Sequence, residues 1–273
     1  MALDHCMRIG GHSFERSGKT YVMGILNVTP DSFSDGGSWI NRDTALAHVE
    51  QMIRDGADII DVGGESTRPG YTLIPDEEEI ERVVPVIERI KAEFDIPVSL
   101  DTYKSRVAAA GIEAGADLIN DIWGLKYDEK MAEVIAGSGV FCCLMHNRKE
   151  AVYQDYLTDV LADLNESLAI ASRAGIAKER IILDPGVGFA KTYENNLQII
   201  REMDRLLVFG CPVLLGCSRK SVVGLTLNLP VDERVEGTLA TTVMAVMKGM
   251  SFVRVHDVKE NKRAIQMTEA ILR

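Results

Sequence analysis

Eight short apolar runs, each ending in a polar side chain and followed by a helix-length segment, constrain this chain more than any other feature. The clearest example leads from Arg180 through three apolar residues to Asp184, and Pro185 follows. Such a run is too short for a helix and is typical of a buried parallel strand. Pro185 cannot donate the next ladder hydrogen bond, and Gly186 and Gly188 allow the backbone to turn sharply and approach a ligand.

Eight strand–helix units in one chain predict a single (β/α)8 TIM barrel of the α/β class. Gly-Ala-Asp recurs at 56–58 and at 115–117, each time between the end of a helix and the next strand, which is internal repetition. Residues 1–20 are expected to form a short N-terminal hairpin or lid, and residues 21–273 the barrel domain. A length of 273 residues suits one barrel, with a doubly wound parallel sheet as the alternative.

The second predicted helix carries two local signals. Asp76, with Glu79 three residues on, predicts a capping box at its start. Pro85 lies inside the apolar pattern of the same helix, and a proline there predicts a kink or a break.

The composition argues against several classes of protein. The formal net charge of −11 argues against nucleic acid or an anionic membrane as a partner, although a local basic cluster can still bind a small anion. No apolar run reaches the ~18–20 residues that cross a membrane and no signal-peptide pattern is present, so a cytoplasmic protein is expected. An odd number of cysteines without C-x-x-C spacing predicts mostly buried, reduced thiols at Cys6, Cys142, Cys143, Cys211 and Cys217.

The predicted strands end in polar side chains that a barrel would gather at one rim. They are Asn27, Asp61, Asp101, Asn120 with Asp121, His146, Asp184, Ser218 with Lys220, and Arg254 with His256. A single aspartate at a strand end can simply cap the next helix, but capping does not explain polar residues at all eight ends. Asp61 and Asp121 are the most ambiguous, since either can be a structural hydrogen-bond hub.

Three of these side chains, Asp101, Asn120 and Asp184, present carboxylate and amide groups from the third, fourth and sixth strands. Adjacent N–H groups on a flat heterocycle fit such carboxylates, so a ring with a guanidine-like edge is the expected ligand. The alternative is a structural network across the top of the barrel, although burying two carboxylates without cationic partners is costly.

A basic group follows around the seventh and eighth strands, where barrel enzymes often bind phosphate. Its members are Arg219, Lys220, Arg254, His256 and Lys259. Ser218 is expected to cap the next helix and direct its N–H groups toward an anion. A solvated basic patch is the alternative, and Arg219 and Lys259 fit that alternative better.

Two long loops, 28–41 and 63–75, are expected to close over a ligand, because loops of this length usually serve binding. The candidate residues on them are Asp31, Phe33, Ser34, Asp35, Ser66, Thr67 and Arg68. The oxygen atoms of Asn27 and Asp35 suit a phosphate-bound Mg²⁺ that keeps most of its waters. Cys217 lies near the rim, but no base at a fixed spacing marks it as a nucleophile.

Six motifs resemble those of the dihydropteroate synthase family, in the same order along the chain: residues 23–37, 61–70, 120–122, 184–189, 218–221 and 254–258. Together these motifs are highly specific. Two positions depart from the family pattern, since Cys217 stands where threonine is more usual and Cys143 where an aliphatic residue is more usual. Neither departure removes an expected ligand.

The resemblance implies condensation of 6-hydroxymethyl-7,8-dihydropterin diphosphate with p-aminobenzoate, giving 7,8-dihydropteroate and pyrophosphate in folate biosynthesis. Loss of pyrophosphate would leave a pterin methylene cation, which the amine attacks without a protein nucleophile. The resemblance also implies Mg²⁺ as cofactor, sulfonamides as competitors of p-aminobenzoate, and a homodimer.

The same resemblance implies a role for each motif residue. The pterin ring is expected at Asp101, Asn120, Asp184 and Lys220, and the diphosphate at Asn27, Arg254 and His256, with Mg²⁺ at Asn27. The p-aminobenzoate site is expected to comprise Phe33, Thr67, Arg68, Pro69, Phe189 and Ser221. The expected catalytic residues are Asp35, Thr67, Lys220, Arg254 and His256.

Three other functions stay open at this point. A pterin-binding methyltransferase with a corrinoid partner would share the barrel and the pterin carboxylates, but it does not need basic residues for a diphosphate. A Schiff-base aldolase would use Lys220 with a depressed pKa. A non-catalytic pterin carrier would bind the ring and release no pyrophosphate.

Overall fold

The computed structural model describes residues 6–16, 18–28, 38–65 and 73–273. Its strands are β1 (Cys6–Ile9), β2 (His12–Glu15), β3 (Tyr21–Asn27), β4 (Ile59–Gly63), β5 (Val98–Asp101), β6 (Leu118–Asp121), β7 (Phe141–Met145), β8 (Ile181–Asp184), β9 (Leu214–Leu215) and β10 (Phe252–Val255). Its α-helices are α1 (Ser38–Asp55), α2 (Asp76–Glu93), α3 (Ser105–Glu113), α4 (Met131–Ser138), α5 (Tyr156–Ala174), α6 (Tyr193–Arg201), α7 (Ser221–Leu227), α8 (Val235–Met247) and α9 (Val258–Leu272).

The strands from β3 to β10 form one parallel sheet, in the order β8-β7-β6-β5-β4-β3-β10-β9. Its two ends meet where Leu183 of β8 pairs with Val213, beside β9. The Leu183 N–H also donates to the Pro212 carbonyl at 2.9 Å. The sheet therefore closes on itself, which confirms the predicted (β/α)8 barrel and excludes the doubly wound alternative.

Strand register aligns the polar residues at one rim. Asn27 pairs with Gly63, Gly63 with Asp101, and Asp101 with Asn120. Register therefore places the side chains of Asn27, Asp101 and Asn120 at the same level of the barrel. Further round the barrel, Asp184 pairs with Met145.

The N-terminal hairpin of β1 and β2 closes the opposite end of the barrel. Its side chains at Met7, Ile9 and Phe14 pack in one cluster with the residues that open the strands, namely Ile59, Leu118, Phe141, Leu214 and Phe252. The Phe14 ring centroid lies 4.9 Å from that of Tyr21 and 5.8 Å from that of Phe252. The expected hairpin is confirmed, but it lies at the end of the barrel remote from the polar rim and cannot be a lid over that rim.

Helix α2 contradicts the predicted capping box and the predicted break at Pro85. Pro75 occupies the N-cap position and Asp76 is already helical, so the predicted capping box is absent. Pro85 lies inside a helix that runs unbroken to Glu93. The helix buries Val83, Val86, Ile87 and Ile90 against the barrel. This packing offsets the one backbone hydrogen bond that is lost at the proline.

The structure bears on the predictions about the cysteine thiols and about membrane-crossing segments. All five cysteines are free thiols, and all except the half-buried Cys6 are buried, as expected. Within the described ranges, each helix is too short or too polar to cross a membrane.

Candidate active site

Six polar side chains face one another inside the rim and are called here the pocket cluster: Asp61, Asp101, Asn120, Asp184, Lys220 and Arg254. Arg254 joins two of its carboxylates. Its Nε donates to Asp61 Oδ2 at 2.6 Å, and its Nη2 donates to Asp101 Oδ2 at 2.6 Å. Asn120 Nδ2 makes only a long contact to the same Asp61 oxygen, at 3.4 Å.

The arginine side of the pocket cluster carries more acceptor capacity than it uses. Asp61 is fully buried, yet its Oδ1 has no hydrogen-bond partner among the described residues. Burial raises the pKa of Asp101 to about 7, because one guanidinium shared between two carboxylates offsets only part of the cost of dehydration. Buried acceptors left without donors are costly and point to a ligand that supplies them.

Asp184 and Lys220 form the other side of the pocket cluster. Asp184 Oδ1 accepts from the Gly186 N–H at 2.7 Å, and burial raises the pKa of this carboxyl. Burial lowers the pKa of Lys220, whose Nζ donates to the Val187 carbonyl. A Cβ on Gly216 would lie 3.3 Å from Asp184 Oδ2 and 3.9 Å from Lys220 Nζ, so the missing side chain keeps space open beside both charges.

An apolar wall stands next to these charges. Tyr103, Ile122 and Met145 form a separate buried cluster, with Trp123 and Phe189 packed against it. The Phe189 ring centroid lies 4.6 Å from Lys220 Nζ, within the range of a cation–π interaction. Flat aromatic surface beside hydrogen-bonding carboxylates is the chemistry that a planar heterocycle requires.

The residues of the basic group predicted around the last two strands have different partners in the structure. Arg219 forms a two-point ion pair with Asp257, which is neither the solvated patch nor the phosphate contact that the sequence offered. Ser218 does not cap α7, because α7 begins at Ser221 and its N-cap is Lys220. The Ser218 hydroxyl instead lies 2.9 Å from His256 Nδ1 and accepts from the His256 N–H at 3.1 Å, which holds that histidine at the end of β10.

Two other predicted rim residues serve the scaffold. Asp121 accepts from the Trp123 and Leu125 N–H groups at 2.8 and 2.7 Å, so it is a hydrogen-bond hub of the loop after β6. His146 is fully buried behind the strand, with its ring nitrogens near Asp163 and Lys191.

Sequence reasoning missed a second buried cluster, called here the brace cluster: Glu65, Glu79, Tyr103 and Lys104. Lys104 Nζ donates to Glu65 Oε2 at 2.7 Å, to Glu79 Oε2 at 2.7 Å and to the Ile74 carbonyl at 2.8 Å. The Tyr103 hydroxyl donates to the other oxygen of Glu65. The only local signal was a lysine three residues after the strand-end carboxylate Asp101, facing a helix with an acidic first turn.

Several predicted site residues belong to the two predicted long loops. Phe33, Asp35, Thr67, Arg68 and Pro69 lie outside the described residues, as do the loop candidates Asp31, Ser34 and Ser66.

The remaining three site residues lie at the rim. Asn27 ends β3, and its Oδ1 would lie 3.9 Å from a Cβ on Gly63. Phe189 is half-buried, and Ser221 is exposed at the first residue of α7.

Known proteins resemble this chain over nearly its whole length. A family model described as pterin binding enzyme matches residues 23–256, which include the whole pocket cluster. The dihydropteroate synthase of Clostridium beijerinckii is 59% identical over 268 residues, covering 98% of this chain and 100% of that protein.

Solved structures share the fold closely. A dihydropteroate synthase from Clostridium difficile, in the presence of pteroic acid, has a TM-score of 0.93 at 48% identity and covers 95% of this chain and 99% of that one. The Xanthomonas albilineans enzyme with 4-aminobenzoic acid has a TM-score of 0.93 at 40% identity, covering 99% of each chain. The Yersinia pestis enzyme in a sulfonamide drug complex has a TM-score of 0.92 at 42% identity, covering 98% of this chain and 99% of that one.

Proposed function

This chain belongs to the dihydropteroate synthase family of pterin-binding enzymes, and from that premise we propose how its own residues carry out the reaction. The enzyme is a transferase of folate biosynthesis that joins 6-hydroxymethyl-7,8-dihydropterin diphosphate to p-aminobenzoate and releases pyrophosphate. The observation that carries the proposal is the pair of Asp184 and Lys220 beside Gly216, where a Cβ would crowd Asp184 Oδ2 at 3.3 Å.

The pterin ring would lie between the two sides of the pocket cluster. The Asp184 carboxylate keeps one oxygen on the Gly186 N–H and would accept N–H groups of the ring with the other. Asp101 and Asn120 would bind the ring from the adjacent strands, and Lys220 would donate to its ring nitrogen and oxo group. Met145 of the apolar wall would cover one of its flat faces.

The diphosphate would bind at the ends of β3 and β10, through Asn27, Arg254 and His256. Arg254 is paired with Asp61 and Asp101, so the developing charge on the leaving group would compete with two carboxylates for one guanidinium. His256, fixed by Ser218, would donate from its Nε2 side.

A Mg²⁺ ion fits this end of the site as a companion of the substrate. Asn27 Oδ1 and Asp101 Oδ2 lie 3.9 and 3.8 Å from the position of a Cβ on Gly63, so both oxygens are near this glycine. The described residues contain no group of three or more His, Cys, Asp or Glu around a metal position. Asn27 would therefore hold the ion together with substrate phosphates and waters, and Asp35 would be a further oxygen donor. When bound, the ion neutralises charge on the departing pyrophosphate.

The reaction needs stabilisation of charge at both ends of the breaking C–O bond. The carboxylates of the pocket cluster would stabilise the cationic pterin methylene, and Arg254 and His256 would stabilise the pyrophosphate. Phe189, Ser221, Thr67, Arg68, Pro69 and Phe33 would direct the amine of p-aminobenzoate onto that carbon. No covalent bond to the protein is required, and burial raises the pKa of the Cys217 thiol, which argues against a thiolate nucleophile.

A coupled pyrophosphate assay tests this function. Purified protein should release pyrophosphate only when pterin diphosphate, p-aminobenzoate and Mg²⁺ are all present, and a sulfonamide should lower the rate competitively against p-aminobenzoate. Silence with all three present would contradict the synthase reaction. Release without p-aminobenzoate would show a hydrolase.

Three further expectations also belong to the proposal. Residues 21–273 would fold as one domain with the hairpin as its base, and the enzyme would be cytoplasmic. A homodimer would bury some of the exposed apolar side chains on and between α7 and α8, namely Leu225, Leu227, Val231 and Met247. Sedimentation equilibrium measures the oligomeric state, and a monomer would contradict the homodimer.

A further inference from the structure

The turn between β8 and α6 is held from beneath by a lysine that the proposed reaction does not use. Lys191 Nζ donates to the Phe189 carbonyl at 3.0 Å and lies 2.8 Å from His146 Nδ1. The same turn carries Gly186 and Val187, whose backbone groups bind Asp184 and Lys220. One partly buried side chain thus reaches the segment that presents both the apolar wall and the charged side of the pocket cluster.

The orientation of His146 is fixed by its other ring nitrogen. His146 Nε2 lies 3.0 Å from Asp163 Oδ2, which also accepts from Arg148 Nε at 2.6 Å. Although burial opposes it, hydrogen bonds from His146 and Arg148 hold the pKa of Asp163 below its usual range, so Asp163 is an acceptor. The proton of the imidazole is therefore on Nε2, and the lone pair on Nδ1 faces Lys191.

The protonation state of the histidine agrees with this arrangement. Burial lowers the pKa of His146 to about 4, so the ring is neutral at physiological pH and Nδ1 remains an acceptor. The chain from Asp163 through His146 to Lys191 therefore has one consistent hydrogen-bond direction, with Lys191 donating.

The turn that Lys191 contacts contains one residue in an unfavourable backbone conformation. Ala190 has φ +43°, in the left-handed region that disfavours residues with a Cβ. The Tyr153 hydroxyl donates to the Ala190 carbonyl at 2.7 Å, which is a second tie on the same strained residue. His146 also reaches the strand itself, since its N–H donates to the Asp184 carbonyl at 2.9 Å.

We propose that Lys191 is a positioning residue, which fixes the Phe189 backbone through its carbonyl and thereby sets the Phe189 ring against Lys220 for p-aminobenzoate binding. This inference rests on the proposed role of Phe189 in the p-aminobenzoate site. Lys191 itself touches no reacting atom in this scheme. Loss of its amine should displace the ring and weaken p-aminobenzoate more than pterin, because Asp184 keeps its own bond to Gly186.

Lys191→Met tests the inference, because methionine keeps the bulk of the side chain and removes its donors. We expect the KM for p-aminobenzoate to rise about tenfold, since small misplacements at a binding site are costly, while kcat and the Kd for the pterin substrate change less than about threefold. A purely structural role would lower the active fraction, and hence kcat, without moving KM. Lys149→Met, at an exposed lysine, is the matched control and should leave all three constants unchanged.

A double-mutant cycle with Phe189→Ala establishes the route of the effect. If Lys191 acts through the Phe189 ring, adding Lys191→Met to Phe189→Ala should change KM less than twofold. A KM effect that multiplies fully, or an unchanged KM in Lys191→Met, would overturn the inference. Should Lys191→Met not fold, Lys191→Gln takes its place with the same expectation, because its amide is one atom too short to reach both partners. Pyrophosphate release by the wild-type enzyme, measured in parallel, separates failure of this inference from failure of the proposed function.

Discussion

The brace cluster and the pocket cluster bury the same formal charge but serve different purposes. The brace cluster places one lysine between two glutamates, and the pocket cluster sets Lys220 and Arg254 against three aspartates, so each has a formal charge of −1. In the brace cluster, Lys104 satisfies all three of its donors. In the pocket cluster, Asp61 Oδ1 has no partner among the described residues, and Asn120 makes one long contact.

In this barrel, the supporting cluster differs from the binding cluster in how fully its hydrogen bonds are satisfied, and not in its charge. The brace cluster links Glu65 to Ile74 through both the Ile74 N–H and the Lys104 ammonium, so it joins the two described ends of the second long loop. The pocket cluster leaves acceptors open toward a space lined by aromatic side chains. Substitutions in the first should therefore change stability, and substitutions in the second should change ligand affinity.

Lys104→Met should give the largest effect. Removing the ammonium leaves Glu65 and Glu79 buried without a counter-ion, and breaking a buried ion pair in this way costs about 3–5 kcal/mol of unfolding free energy. Urea denaturation followed by circular dichroism measures the change. The deficit should shrink as pH falls from 8 to 5, because protonation neutralises the stranded glutamates.

Lys130→Met is the control for this prediction, since Lys130 is exposed near the same loop and should change stability by less than about 0.5 kcal/mol. A loss in Lys104→Met no larger than in this control would mean that the brace cluster is not a support. The distinction between the two clusters would then fail.

Asp184→Asn should instead weaken ligand binding at nearly constant stability. The asparagine oxygen can still accept from the Gly186 N–H, but only one acceptor oxygen remains for both that bond and the pterin. Loss of a charged hydrogen bond predicts pterin binding about 10- to 100-fold weaker by calorimetry. Asp232→Asn, at an exposed position, should bind pterin as the wild type does. Equal affinity in both variants would remove Asp184 from the pterin site.

The contrast between the clusters also marks how far the sequence reaches. The strand ends at Asp101, Asn120 and Asp184 were predictable because an apolar run followed by a polar residue is a local signal. Register then placed Asp101 and Asn120 side by side. A strand end alone does not decide which way a side chain faces, since His146 follows β7 and is buried behind it.

Contacts across the barrel were not predictable in the same way. Arg254 meets Asp61 across 193 residues of sequence, and Ser218 gives its hydroxyl to His256 rather than to its own helix. Local rules favoured a capping serine, but the neighbouring strand β10 supplied a competing partner. Lys104 was overlooked for the same reason, since its partner Glu79 was read as a local capping residue.

The pH dependence of pterin binding is the smallest of the expected effects and tests the pocket cluster directly. Burial raises the pKa of Asp101 to about 7, so this carboxyl is mostly protonated at pH 6 and mostly ionised at pH 8. Only the ionised form accepts two ring N–H groups, so pterin affinity should rise about tenfold between these pH values. Calorimetric titrations at pH 6, 7 and 8 measure this slope, and Asp101→Asn should remove most of it.

The contribution of Asp101 to the free energy of unfolding should fall with rising pH, while pterin affinity rises, over part of the same pH range. A carboxyl whose pKa is higher in the folded than in the unfolded state binds more protons when folded, so its contribution to stability falls as pH rises from about 4 to about 7. Opposite signs for affinity and stability are expected only where a charge is kept buried for a ligand. A wild-type affinity that stays flat from pH 6 to 8, or a slope that persists in Asp101→Asn, would show that Asp101 is ionised by its pairing with Arg254. Its carboxylate would then be a supporting group with satisfied hydrogen bonds, like the carboxylates that are paired with Lys104.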